Sequence, residues 1–319
     1  MNAPTAIVAP LAAELAGVLA ATRDRRRLHP LGGRRGPRVT LGSLGGEEVA
    51  LMATGDGPAA AAAGLEALLA ALRPRRLLAV GVAGGLTPGL AEGTLVAARR
   101  IVAADGSAPP RQPDAAWLER ALACGCIAGL AVSADRIVAD PRARQGVLEQ
   151  ALATPAVRAG AAPTVGAGAA PTPAAPQSPP GSAWPPSATV DLESAVYAGL
   201  AAAWSLPFLV VRAVLDPAEE ELPLDFEACR DRSGRVRNAR VVMRALARPA
   251  SLRRLWRLRA RVRGAATRLG MLAEQLVAAV PLRAVAAPEA CRAGGAAATE
   301  WSATAGGRRE GTAILAARR

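Results

Sequence analysis

In TVDLESAVYAGLAAAWSLPFLVVRAVLD, Thr189 to Asp216, no charged side chain occurs between Glu193 and Arg212. An uncharged run of this length leaves two choices: a membrane span, or elements buried inside a globule. A spanning helix needs roughly 20 apolar residues, and Ala195–Val211 approaches that length. Inside the run, however, Pro207 follows the polar Ser205, and the composition changes from Ala-rich to the β-branched FLVV. Proline breaks a helix interior and branched side chains fit a pleated strand. The run therefore reads as a helix, a loop containing Pro207 and a strand apolar on both faces, as in a parallel α/β sheet.

The first 150 or so residues repeat that grammar. TAIVA reads as a strand, LAAELAGVLAATR as a helix, RVTLG and EVALMAT as a hairpin, GPAAAAAGLEALLAALRP as a helix and RRLLAVGVA as a strand. GTLVAARRIV, DAAWLERAL, CIAGLAVSA and DPRARQGVLEQAL continue as strand, helix, strand and helix. Alternation of this kind predicts an α/β fold with a mixed or mostly parallel sheet, and places the chemistry in the loops that follow the strands.

Residues 1–152 and 188–248 are thus expected to form one catalytic domain. The Ala, Pro and Gly tract at 153–187 has too few large apolar residues to repay the entropy of ordering, and is expected to be a disordered insertion. The tail at 281–319 is read in the same way. Residues 249–280 read as a basic helical extension. In PASLRRLWRLRARVRGAATRLG, the residues Leu252, Leu255, Trp256, Val262, Ala266 and Leu269 are assigned to one helical face, with Arg253, Arg254, Arg257, Arg261 and Arg268 around it. Such a helix suits an anionic bilayer surface, or docks on a core with its arginines outward.

Composition closes several other routes. The formal net charge is +13 and every basic side chain is Arg, a bias that points to a GC-rich bacterial genome more than to a function. The aromatic content of 3% offers little for stacking nucleic-acid bases. Cys124, Cys126, Cys229 and Cys291 lack metal-binding spacing and His29 is the sole histidine, so neither a metal site nor an oxidising compartment is expected. Charge follows the N-terminal apolar run, the reverse of a signal peptide. The expected location is cytoplasmic, with peripheral contact at the inner membrane face.

Glycine loops follow several strands: MATGDG at Met52–Gly57, GVAGGL at Gly81–Leu86 and then LTPGLAEG. They match neither the dinucleotide nor the P-loop pattern, so on their own they are turns that let backbone amides approach a ligand. In order with IVAPLAAE, SADRIV, DLES and VVRAVLDP, they resemble the purine nucleoside phosphorylase and nucleosidase superfamily from Ala6 to Asp216. Leu192 and Leu215 stand where that family usually has Met and Ser. Beyond Asp216 the chain resembles the hopanoid-associated phosphorylases. The resemblance implies a three-layer fold with a central mixed, twisted sheet flanked by helices, and release of adenine from adenosylhopane. It also implies no cofactor, phosphate or water as co-substrate, a homo-oligomer and no nucleic-acid partner. Carried over position by position, it makes Asp216 and Glu14 catalytic, and Glu193, Arg212, Thr54, Gly55, Ala83, Gly84 and Leu192 substrate-binding.

The residue types suit the chemistry. Breaking an N-glycosidic bond develops positive charge on the ribose and negative charge on the leaving base. An acid at the end of an apolar strand, Asp216, is desolvated and so keeps a proton to donate. Glu193, at a loop-to-helix junction, can bind ribose hydroxyls and stabilise the cationic sugar; the helix dipole alone would also favour it there. Arg212 is expected on the same sheet face as Asp216 by the period of two, to bind the nucleophile, orient Glu193 or simply pair with a carboxylate. Glu14 would hold water in a nucleosidase, or sit solvated on the first helix. Arg23, Arg25, Arg26 and Arg27 would serve a phosphorylase, or form a solvated face. The competing readings are a nucleosidase for soluble adenine nucleosides such as methylthioadenosine or adenosylhomocysteine, and a non-enzymatic membrane- or nucleic-acid-binding protein.

Overall fold

Strands that are apolar at successive positions must be covered on both faces, and this requirement organises the chain. The computed structural model describes residues 3–28, 38–154, 157, 187–222, 227–229 and 249–278. In order, the elements are β1 (Thr5–Ala9), α1 (Ala16–Ala21), β2 (Arg23–Arg27), β3 (Val39–Leu44), β4 (Glu47–Ala53), α2 (Pro58–Leu72), β5 (Arg76–Gly85) and β6 (Leu95–Ala103). They continue with α3 (Ala115–Ala123), β7 (Ile127–Ser133), α4 (Pro141–Ala153), β8 (Ala188–Asp191), α5 (Ser194–Ala203), β9 (Phe208–Asp216) and α6 (Pro249–Ala278), with a short 3₁₀ turn at Glu227–Cys229. All lie within one unit, Met1–Val280.

The nine strands run in the order β2-β3-β4-β1-β5-β8-β7-β6-β9, with a further pairing between β5 and β9. The sheet is mixed. β1 is parallel to β4 and β5, β5 is parallel to β9, and β6 is antiparallel to β9. β5 also meets β8 antiparallel at Gly84 and Gly85, so β5, β8, β7, β6 and β9 close into a ring whose rim carries the candidate site.

Alternate residues of the central strands point to opposite layers. Val8, Ala79 and Val210 pack with Leu65, Leu68 and Leu69 of α2 and with Val196 of α5. Ile7, Leu78 and Val211 pack with Val18 of α1, Trp117 of α3 and Leu269 and Leu276 of α6. Each fully buried Leu or Val contributes about 1.5 to 3 kcal/mol. The expected three-layer α/β architecture is thus present.

The uncharged run from Ser194 to Val211 divides as its composition dictates, into α5, a turn at Trp204–Ser205 and the buried β9. No described helix is long and apolar enough to cross a membrane. The first helix is shorter than its apolar run suggests. Leu11–Leu15 forms turns, with the amide of Glu14 donating to the carbonyl of Leu11 at 3.1 Å, and the helix proper begins at Ala16. Arg23–Arg27 is an exposed edge strand in which Arg26 pairs with Glu48 at 3.2 Å, and none of these arginines lines the cavity described below.

The second half of α6 is part of the core. Leu269, Leu272 and Leu276 are buried, and α6 crosses α1 where Gly17 and Gly270 let the backbones touch: a Cβ on Gly17 would collide with the carbonyl of Ala266. Arg76 stacks on Trp117 at 5.0 Å and donates to the carbonyl of Val277 at 3.3 Å, holding the end of α6. The first half is different. Trp256, expected on the apolar face, is 68% exposed, because the helix turns it away from the side on which Val262 faces the protein. Of the expected insertion, Ala153 closes α4, and Val157 and Ser187 are buried. Residues 155–156 and 158–186, and the expected tail, lie outside the described residues.

Candidate active site

The loops after β1, β4 and β7 and the ends of β5, β8 and β9 border one cavity of about 520 Å³. Of the residues singled out in the sequence, Glu14, Gly55, Ala83, Gly84, Leu192, Glu193 and Asp216 line it. Thr54 and Arg212 stand directly behind. Thr54 Oγ1 and the Tyr197 hydroxyl lie 2.6 Å apart, buried, which fixes the start of the Gly55–Gly57 loop against α5.

At one end stand Glu14 and Glu193, both buried. Glu193 occupies the N-cap of α5, where its Oε1 accepts the Gly57 amide at 2.7 Å instead of capping its own helix. Burial pushes its carboxyl up to about 7, with nearby Asp191 adding to the effect and Arg212 opposing it. Burial pushes Glu14 up to about 8 against the pull of Arg212.

Arg212 is held from behind. Its Nε lies 2.6 Å from Asp191 Oδ2, and Nε and Nη2 donate to Ser194 Oγ at 3.0 and 2.9 Å. Burial alone would lower its pKa, but the carboxylates of Asp191 and Glu193 raise it, so the guanidinium stays charged. Asp191 Oδ1 in turn accepts the amides of Glu193 and Ser194 and the Ser133 hydroxyl, at 3.1, 3.0 and 2.9 Å. These contacts order the start of α5. Of the four buried side-chain atoms without a hydrogen-bond partner among the described residues, two belong to this site, Arg212 Nη1 and Glu14 Oε2. Both border Gly81: a Cβ there would collide with Nη1 and lie 2.9 Å from Oε2.

At the other end Asp216, pushed up to about 6 by burial against the pull of Arg144, pairs with Arg144 from α4. Strict alternation, which would place Arg212 and Asp216 on the same face, does not hold in β9. The register against β5 shifts between Val214 and Asp216, a bulge with Leu215 as the extra residue. As a result Leu215 and Asp216 both line the cavity, while Arg212 lies beneath it.

Sequence reasoning missed Asp191, Ser133, Tyr197 and Arg144. Asp191 lies two positions before Glu193 in the DLES motif and was legible as a third acid; Arg144, one of two arginines in the first turn of α4, carried no signal. Much of the remaining wall is apolar, with Leu11, Ile137, Val138, Leu222 and Val262, and the charged Asp56, Arg136 and Asp191 also line the cavity. Among the described residues no cluster of His, Cys, Asp or Glu could hold a metal ion.

The architecture is shared with solved nucleosidases. A Streptococcus pneumoniae MTA/SAH nucleosidase in complex with 8-aminoadenine is 17% identical, with a TM-score of 0.60 over 87% of this chain and 100% of that one. The S-adenosylhomocysteine nucleosidase of Streptococcus pyogenes, in complex with 5-methylthiotubericidin, is 18% identical with a TM-score of 0.60, over 88% of this chain and 98% of that one. A futalosine hydrolase mutant from Helicobacter pylori is 15% identical with a TM-score of 0.58, over 87% and 99%. At such identities the likeness is one of fold. Residues 4–247 also match the family described as the phosphorylase superfamily, which is most of the chain and includes all nine strands. The chain belongs to the phosphorylase superfamily.

Proposed function

We infer that the chain is an enzyme that cleaves the N-glycosidic bond of an adenine nucleoside, with water as the nucleophile. The observation that carries this reading is the placing of three buried carboxyl groups, Glu14, Glu193 and Asp216, around one cavity, each with its proton affinity raised. In its protonated form the carboxyl at one end can donate, and in their ionised forms those at the other can accept a proton and stabilise positive charge.

In the reaction, the electron pair of the C–N bond leaves with the base, and a base nitrogen takes the proton of Asp216. Glu193 binds the ribose hydroxyls and stabilises the developing oxocarbenium charge. In the form with Glu14 ionised, a water between Arg212 Nη1 and Glu14 Oε2 would accept from the guanidinium, attack the anomeric carbon and pass its proton to Glu14. Water is favoured over phosphate by charge. The guanidinium at that end, Arg212, is already paired with the Asp191 carboxylate, and a phosphate there would stand against Glu14 and Glu193, whose ionised forms repel it. The arginines of β2 are elsewhere.

The substrate side is supported by the family, by neighbours solved with 8-aminoadenine and with 5-methylthiotubericidin and by the resemblance beyond Asp216 to hopanoid-associated phosphorylases. On that basis the preferred substrate is lipid-linked, adenosylhopane, and the exposed Arg253, Trp256 and Arg257 of α6 rest on an anionic membrane face. The apolar walls Leu11, Ile137, Leu222 and Val262 suit such a substituent. The test is to follow adenine release from adenosylhopane, methylthioadenosine and adenosylhomocysteine, with and without phosphate. Release from the lipid-linked substrate in phosphate-free buffer is expected. A strict phosphate requirement would reject water, and cleavage of the soluble substrates alone would reject the lipid-linked one.

A further inference from the structure

Arg144 is the unexpected member of the site. It sits in α4, a helix whose neighbouring positions Arg142, Gln145 and Gly146 are exposed, yet its own side chain is only 1% exposed. Its guanidinium ties together distinct backbone segments. Nη2 donates to Asp216 Oδ2, Nη1 to the carbonyl of Pro217 at 2.6 Å, and Nε to the carbonyl of Val138 at 3.3 Å. The fork therefore spans the end of β9 and the loop after β7, whose residues Ile137 and Val138 wall the cavity.

A buried guanidinium is costly to desolvate, and a buried ion pair is weak evidence for a stabilising role, since apolar residues of similar volume often serve as well or better. The pair has to be explained by what it does to Asp216, which lines the cavity. We propose that Arg144 is a positioning residue for the reaction inferred above: it fixes the Asp216 carboxyl in one orientation at the cavity end and makes it a readier proton donor to the leaving base.

The inference rests on Asp216 acting as the acid. With Oδ2 engaged by Arg144, Oδ1 is the oxygen left for a ligand. When the proton passes to the base with the electron pair of the broken bond, the carboxylate that remains is already beside a fixed positive charge, so charge is compensated without reorganisation. The other charged groups acting on Asp216 are Glu220, in the turn that follows it, and Arg261 of α6, which itself pairs with Glu220 and Glu92. Burial holds the carboxyl proton and Arg144 is the main opposing influence.

The test is a carboxyl-carbon NMR titration of the full-length protein labelled at aspartate, with the Asp216 resonance assigned through Asp216→Asn, alongside turnover of an adenine nucleoside. In the native protein Asp216 is expected to titrate near 6. In Arg144→Gln the midpoint should rise by about 1 to 3 units, the effect of removing an adjacent opposite charge, and kcat should fall at least tenfold with KM little changed. Arg144→Lys, which keeps the charge without the fork, should hold the midpoint near the native value yet still lower kcat, and it provides the test if Arg144→Gln does not fold. An unmoved midpoint in Arg144→Gln, or a moved midpoint with unchanged kcat, would overturn the proposal. So would native kcat in Arg144→Lys. Full activity of Asp216→Asn would instead sink the assignment of the acid, and Arg144's role with it; the titration, which needs no turnover, tells the two failures apart.

Discussion

Gly81 shows how far single atoms control this site. It sits in β5 opposite Arg212, and an added methyl would collide with Arg212 Nη1. Gly81→Ala should therefore displace the guanidinium and lower turnover by about tenfold to a hundredfold, since misplacing a catalytic contact by about 1 Å can cost that much. Gly146→Ala, in the interior of α4 with nothing within 4 Å of the new methyl, is the control and should stabilise the fold by about 0.5 to 1 kcal/mol. Steady-state kinetics and thermal melts check both. Glu14 gives a second prediction. Its folded pKa of about 8 lies above the ordinary 4.5, so the folded state holds a proton that the unfolded chain releases. That contribution is complete below about 4.5 and is lost as pH rises towards 8. The ligand-free protein should lose more Tm between pH 5 and 8 than Glu14→Gln does, and parallel curves would refute the burial argument. Glu14, Glu193 and Asp216, picked out in the sequence by the resemblance of their motifs to a known family, all line the cavity. Gly81 and Arg144 were not picked out, because their importance comes from contacts between segments far apart in the chain.

At the scale of elements, apolar periodicity identified most helices and strands, including the division of the uncharged run into α5 and β9. It failed where tertiary pairing overrode local character. Five charged residues, RDRRR, become an edge strand because β3 offers unpaired backbone groups, and the bulge at Leu215 in β9 has no local signature. The α6 helix combines two behaviours, and the prediction for it follows from that division. Its second half is core, so Leu272→Ala and Leu276→Ala should each cost about 2 to 5 kcal/mol. Its first half leaves Arg253, Arg254, Trp256 and Arg257 exposed. Converting these arginines to Gln and Trp256 to Ala should abolish salt-sensitive binding to anionic vesicles, where each Arg is worth about 1 kcal/mol. Turnover of a soluble adenine nucleoside should survive the change. Vesicle binding equal to that of the native chain would reject the helix as the membrane contact.

For the whole molecule, the mixed three-layer fold could be read from the alternation of elements, while closure of β5, β8, β7, β6 and β9 into a ring could not, since it depends on β9 returning between β5 and β6. That closure brings Asp216 to the cavity rim shared with Glu14 and Glu193, and so makes one site from segments some 200 positions apart. The central claim is that this site breaks an adenine nucleoside through its paired ends. The most direct measurement is adenine release in phosphate-free buffer by the native chain, by Asp216→Asn and by Glu193→Gln, each confirmed folded. Adenine should form with the native chain, and each variant should be slower by at least about a hundredfold, the scale of one acid-base contribution. Native rates in both variants, or no adenine from any nucleoside tested, would contradict the account.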